Sequence, residues 1–249
     1  ENQAAFRSAL ADIAIVARTV AARKYSIDAG ITGAARTFSN TASVTGGGLG
    51  NGGGLSTTGN QGTINITNCT LSGNRADNNG GGAYIVTPGG GTGNMTLNAV
   101  TISNNTADND NNGSGAGGGF AVNTAAVTLR NTIVAGNFNS TSATRDDISG
   151  AIVTSSSFNL IGDGTGSTGI TNGTNNNQVG SGASPINPLL GALMNNGGST
   201  ETHALLTGSP AMDTANNATA PATDQRGIAR PQQGGGQGQP GDQSGQQGG

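Results

Sequence analysis

Few side chains in this sequence could do chemistry, and their spacing limits what chemistry that is. Among 249 residues there are 13 acidic and 10 basic side chains, one histidine and one cysteine. The best acidic pair is Asp146-Asp147. Glycoside hydrolysis needs two carboxyl groups converging on one bond. Neighbours along a strand point to opposite faces, so these two can share a site only in a turn. His203, the sole histidine, is read as a structural hydrogen-bonding residue rather than a base. Cys69 has no partner for an intramolecular disulfide and reads as a small buried hydrophobe. The sequence shows no Ser-His-Asp order, no phosphate loop and no His/Cys cluster of metal-binding spacing. The expectation is a non-catalytic protein with no catalytic residues and no required cofactor.

One loop has the residue types for a hard cation. Asp108, Asp110, Asn112 and Ser114, with Gly113, read D-x-D-x-N-G-S. Oxygens at alternate positions can face one ion, as in the first half of an EF-hand loop. Gly119 stands where the bidentate Glu would be. These four residues are the calcium candidates, and Ca2+ is the only cofactor the sequence suggests. The other reading is a solvated Asn/Asp-rich loop.

The elements that must hold these residues are repeats. A glycine triplet, a short apolar alternation and an Asn-rich corner recur three times between Gly52 and Asn137. The triplets begin at Gly52, Gly80 and Gly117, and the alternations run INITNCTLSGNRA, MTLNAVTISNNTA and VTLRNTIVAGN. Leu71, Ile102 and Ile133 sit 31 residues apart, and Phe38, 33 residues before Leu71, reads as the trace of an earlier copy. A fixed period of this size marks a solenoid. Ile64, Ile66, Met95, Leu97, Val127 and Leu129 alternate with polar residues, which is strand periodicity. The pattern predicts a parallel β-helix with one coil per copy. Leu71, Ile102 and Ile133 would form an inward row, with Cys69 in the place of Val100. Asn74 and Asn105 would stack at a corner, joined within a residue by Asn40 and Asn137. Asn tolerates left-handed backbone and can bond the coils above and below. Glycine triplets allow close backbone approach and positive φ.

These residues resemble a known family. GGG…LTLxNSTISGNTA-type coils are those of the polymorphic outer membrane protein-like, right-handed β-helix proteins of bacteria. The resemblance continues through NTIVAGN, FNLIGD, NPLLGAL, NNGGSTETHALLTGSPAMD and DQRGIARP. This order is similar to the choice-of-anchor Q type of secreted β-helix protein and covers residues 37–231. It implies a secreted or surface-bound protein with no general catalytic set to carry over, and the missing acid/base set makes a structural or adhesive role the expectation. That family commonly closes with an acidic strand and a sorting anchor, whereas a Gly/Gln tail follows Pro231 here.

Composition agrees with one elongated all-β domain. Only 9% of residues are charged and 3% aromatic, while glycine counts 46. A solenoid interior is narrow and needs few aliphatics per coil. The chain divides into a cap or joining segment over 1–30, coils over 31–183, a C-terminal cap region over 184–231 and a flexible Gly/Gln tail over 232–249. Residues 3–22 read as a capping helix, with strand in a degenerate first coil as the rival reading. The first residue is Glu, which fits a product whose leader has been removed. A net charge of −3 and a single lysine exclude the cationic face that nucleic acid needs. No run of about 18 apolar residues is present to span a membrane. The expected partners are a second copy, stacked end to end through the N-terminal segment, and an extracellular carbohydrate or surface ligand. A carbohydrate-binding or polysaccharide-degrading β-helix is the alternative function, although Trp is absent and aromatics are few.

Overall fold

The computed structural model describes residues 50–57, 63–86, 94–140 and 144–230 and, as backbone alone, three short strands before residue 50. The expected helix over 3–22, Asn40 and the tail over 232–249 lie outside the described residues. The described chain is all-β, with a single 3-10 turn over Thr174–Asn176 as its only helical piece.

In chain order the strands are β1 (Ser26–Ile27), β2 (Arg36–Ser39), β3 (Ser43–Val44), β4 (Leu55–Thr57), β5 (Thr63–Ser72), β6 (Ala83–Val86) and β7 (Asn94–Ser103). Next come β8 (Thr106–Ala107), β9 (Phe120–Asn123), β10 (Ala126–Arg130), β11 (Ile133–Val134), β12 (Phe138–Asn139) and β13 (Thr144–Arg145). The last are β14 (Ile148–Ala151), β15 (Leu160–Ile161), β16 (Ser167–Thr168), β17 (Gln178–Val179), β18 (Leu190–Met194) and β19 (Thr202–Leu205). Two large parallel sheets dominate. One runs β1-β4-β6-β9-β14-β16, and the other β17-β15-β11-β7-β5-β2, with β10 added on β7 and β3 on β5. Inside these two sheets the strands of successive chain passes pair in parallel, whereas β12–β13 and β18–β19 are antiparallel.

The interior follows from the alternation. Ile64, Met95 and Val127 pair in one row, and Ile66, Leu97 and Leu129 in the next. All six are buried. Midway along β5 and β7 the backbone turns left-handed, at Asn68 (φ 53) and Ala99 (φ 56). That single turn shifts the alternation by one residue. Cys69 and Leu71, then Val100 and Ile102, therefore point inward where strict period two would turn them out. Cys69 does pair with Val100 and is buried. Phe120, Ala83 and Ile148 enter the same core from the other large sheet.

One expected row needs correction. The inward row is Leu71, Ile102, Val134 and Ile161, because Ile133 pairs with Thr101 and Val134 with Ile102. The left-handed turn of the third copy falls at Asn131 (φ 49), 32 residues after Ala99, whereas the previous interval is 31. The count from that turn decides which residue faces in, and the constant spacing of Ile133 misleads by one. Phe38 pairs with Ile66, while Val44 takes the place beside Leu71. Ile102→Ala should therefore destabilise by about 2–5 kcal/mol. Ile133, only half-buried, should tolerate alanine with a smaller loss. Thermal melts of the two variants check the register, and an equal loss in both would refute it.

All three positions of the glycine triplets are sterically dictated, the middle one because a Cβ at Gly53, Gly81 or Gly118 would come within 2.4, 2.4 or 2.2 Å of a backbone carbonyl oxygen. The first glycine, at Gly52, Gly80 and Gly117, has φ of 70, 70 and 69. The third, at Gly54, Gly82 and Gly119, packs against the next carbonyl and the corner amide together: a Cβ there would come within 2.7, 2.4 and 2.4 Å of the carbonyl oxygens of Gly82, Gly119 and Asp147, and within 2.9 Å of Asn74, 3.1 Å of Asn105 and 2.8 Å of Asn137. The triplet and the Asn corner are therefore one packing unit, with the glycine vacating the space that the amide occupies.

Candidate functional site

Three places gather polar side chains. The first is the corner of asparagines. Asn105 Oδ1 accepts from both N–H and Nδ2 of Asn74, each at 2.9 Å. Asn137 Oδ1 accepts in the same way from Asn105, at 3.0 and 2.9 Å. The next member is not asparagine but Asp147, whose Oδ1 accepts from Asn137 N–H and Nδ2 at 2.8 Å each. All four residues are fully buried. A second row stands at the left-handed turns: Thr132 N–H donates to Asn159 Oδ1, and Asn159 N–H and Nδ2 donate to Asn177 Oδ1.

Asp146 and Asp147 diverge. Asp147 Oδ2 takes the N–H of Asp163 at 2.7 Å, while Asp146 Oδ2 takes the N–H of Gly117 at 2.8 Å. Burial pushes the Asp147 carboxyl up to about 6, held down in part by the two Asn137 donors and by Asp163 N–H. Burial also raises Asp146, and the charge of Asp163 adds to that. This acidic corner joins chain passes, since each acid closes hydrogen bonds between residues 10 to 29 apart.

The second place is the loop of calcium candidates. Gly113 N–H donates to both oxygens of buried Asp108, at 3.1 and 3.2 Å. Asn112 Nδ2 donates to Asp110 Oδ2 at 2.7 Å, and Ser114 N–H donates to Asn112 Oδ1 at 2.8 Å. The four residues are brought together, but their oxygens hold the loop's own donors. Among the described residues no group of three or more His, Cys, Asp or Glu side chains is placed to hold a metal.

The third place is a cleft of about 340 Å³ between the outer face of the β5–β7–β11 sheet and residues 190–230. The C-terminal segment lies along the side of that sheet. The β18–β19 hairpin, antiparallel with a bulge, begins the segment. Asn68 Nδ2 donates to Thr223 O, Asn98 Nδ2 to Thr219 O, and Asn131 Oδ1 accepts from Asn216 N–H. Thr70 Oγ1 donates to Gln225 Oε1 at 2.8 Å. His203 Nδ1 lies 2.7 Å from the carbonyl of Gly191, which can only accept, so Nδ1 carries a proton. In the neutral ring Nε2 then accepts from the Ser72 hydroxyl, 2.9 Å away. Arg226 pairs with Asp224 at 2.7 Å. Arg230 lines the cleft and gives its hydrogen bonds to neutral oxygens, Asn68 Oδ1 and Thr223 O, each at 3.1 Å. Burial lowers its pKa, and the nearby charge of Asp224 opposes that.

Against known proteins the chain matches no family model, no curated protein and no solved structure. Sequence reasoning placed Asn74, Asn105 and Asn137 and weighed Asp147 as half of an acidic pair, but missed Asp147 as the row's fourth member and missed Asp163 and Arg230. A continued amide row past the third copy was the one available signal, and Asp147 breaks it by chemistry and by its short spacing. Nothing local marks Arg230, whose partners are up to 162 residues away.

Proposed function

We propose that this chain is a secreted, right-handed parallel β-helix of structural or adhesive role, extracellular or surface-bound, that can join end to end. The observation that supports it is the use made of the buried polar groups. Asn74, Asn105, Asn137 and Asp147 tie one chain pass to the next. The resemblance to choice-of-anchor Q and polymorphic outer membrane protein-like sequences adds the extracellular setting. Sedimentation velocity and negative-stain microscopy over a concentration series test the reading. Asymmetric particles that lengthen with concentration are expected. Compact particles of unchanging size would defeat both the solenoid and the assembly.

The cleft favours a second reading, a carbohydrate-binding protein. Arg230 presents a cation with no carboxylate bonded to it among the described residues, which suits an acidic saccharide. Binding of uronate oligosaccharides that is lost in Arg230→Ala would move the assignment to binding. Cleavage of such a polymer would overturn the non-catalytic reading.

Calcium at Asp108, Asp110, Asn112 and Ser114 is proposed as a stabilising ligand. Each Asp108 oxygen keeps a lone pair beside the one that faces Gly113 N–H, so an ion and the loop's own donor can share the carboxylate. Added Ca2+ should raise the midpoint of thermal unfolding by mass action, and Asp108→Ala should abolish the rise. A melt indifferent to chelator would remove calcium from the account.

A further inference from the structure

Five Asn-Gly steps occur in the described chain: Asn51-Gly52, Asn79-Gly80, Asn112-Gly113, Asn172-Gly173 and Asn196-Gly197. This dipeptide is chemically labile, because the glycine nitrogen can attack the asparagine side chain with no Cβ in the way. What the glycine N–H donates to therefore matters. Gly52, Gly80 and Gly173 donate to backbone carbonyls, those of Asn79, Ala116 and Asn177. Gly197 donates to the neutral amide oxygen of Asn195. Gly113 alone among the five donates to a carboxylate, and it does so to both oxygens of Asp108.

The rest of the loop completes the arrangement. Asp108 is buried, and its two oxygens, 3.1 and 3.2 Å from Gly113 N, stand where they can take that proton. Ser114 N–H points at Asn112 Oδ1, where negative charge develops when Cγ becomes tetrahedral. Asp110 Oδ2 holds Asn112 Nδ2, the nitrogen that must leave. Asn112 and Gly113 are exposed, and no atom lies within 4 Å of where a Gly113 Cβ would stand. A five-membered ring has room to close and water has access to open it.

We propose that Asn112 is a self-modification site, at which the folded loop promotes its own deamidation. The Asp108 carboxylate takes the proton of Gly113 N, which forms a bond to Asn112 Cγ. Oδ1 takes the electron pair against Ser114 N–H. A proton is returned to Nδ2, the Cγ–Nδ2 bond breaks, and ammonia departs, leaving a succinimide. Water then opens the ring, giving aspartate by cleavage at the side-chain carbonyl or isoaspartate by cleavage at the main-chain carbonyl. No oxidant or cofactor enters the balance. Each event adds a negative charge to the loop of Asp108 and Asp110.

The test is peptide mapping by mass spectrometry of the full chain, incubated at neutral pH, folded and in urea. Asn112 should convert first, about tenfold or more ahead of the other four sites in the folded protein, the scale of a positioned base. Urea should erase that lead. Asp108→Asn should slow conversion at Asn112 by a similar factor while the other four sites keep their rates. Because that variant can disturb the loop itself, the comparison of folded and unfolded wild type stands as an independent arm. Conversion at Asn112 that is no faster folded than unfolded would overturn the proposal, since the same bonds would then be holding the asparagine still. Insensitivity to Asp108→Asn would overturn it as well.

Discussion

Asn105→Ala should cost this protein about 3–5 kcal/mol, because it removes the middle of the buried amide row. Asn105 Oδ1 takes two donors from Asn74, and its Nδ2 donates to Leu71 O, Ser103 O and Asn137 Oδ1. Alanine keeps none of these. The two Asn74 donors lose this acceptor in a region of zero solvent exposure. A buried polar group that loses its partner costs about 1–3 kcal/mol, and several are affected at once. Aspartate is no rescue: it restores the acceptor but turns an oxygen toward Asn137 Oδ1, where a donor is needed. Asn111→Ala is the control. Its side chain is exposed, and its left-handed φ of 57 limits the expected loss to about 1 kcal/mol. Chemical denaturation of the variants measures the difference, and equal losses at 105 and 111 would show that the row carries no special load.

The second large effect is a pH dependence centred on Asp147. Its carboxyl sits at about 6 in the fold against an ordinary 3.8, and burial is the main cause. Below about 4 the group is protonated both folded and unfolded, and its contribution is fully present. Between about 4 and 6 the unfolded chain has lost the proton and the folded chain has not, so stability falls as pH rises. The loss is complete above about 6 and amounts to about 3 kcal/mol. Asp146 is raised as well and acts in the same direction. Asp147→Asn should flatten most of this step. Its amide oxygen still serves Asn137, while the Asp163 N–H loses an acceptor. The difference in stability between wild type and Asp147→Asn, followed from pH 4 to 7, isolates the effect from the other carboxylates. A difference constant across that range would mean that Asp147 is ionised throughout.

Both effects rest on a row whose members were unequally visible in the sequence. Asn74 and Asn105 stand at a constant interval after paired apolar residues, and each follows a glycine triplet that clears space for the next amide. That relation is local and repeats, so it can be read without coordinates. Asp147 is different. It follows Asn137 by only 10 residues, belongs to no copy of the pattern, and joins the row because the chain returns early after β13. The same holds for His203, whose two ring nitrogens reach Gly191 and Ser72 across 12 and 131 residues.

The sequence by itself determined the strand character, the parallel stacking of like with like, the burial of Cys69 beside Val100 and the amide corner. These depend on side-chain alternation within a copy and on identity between copies, and both are written at short range. Only the tertiary structure decided that Val134 rather than Ile133 faces inward. A one-residue change in where the backbone turns left-handed flips every side chain after it, and such a turn is available to Asn68, Ala99 and Asn131 alike. It also decided that residues 190–230 lie along the flank of a sheet, held there by Asn68, Asn98, Asn131 and Thr70. Those contacts join residues 85 to 155 apart and occur once each. Contacts made once, between distant and non-repeating segments, have no period to reveal them.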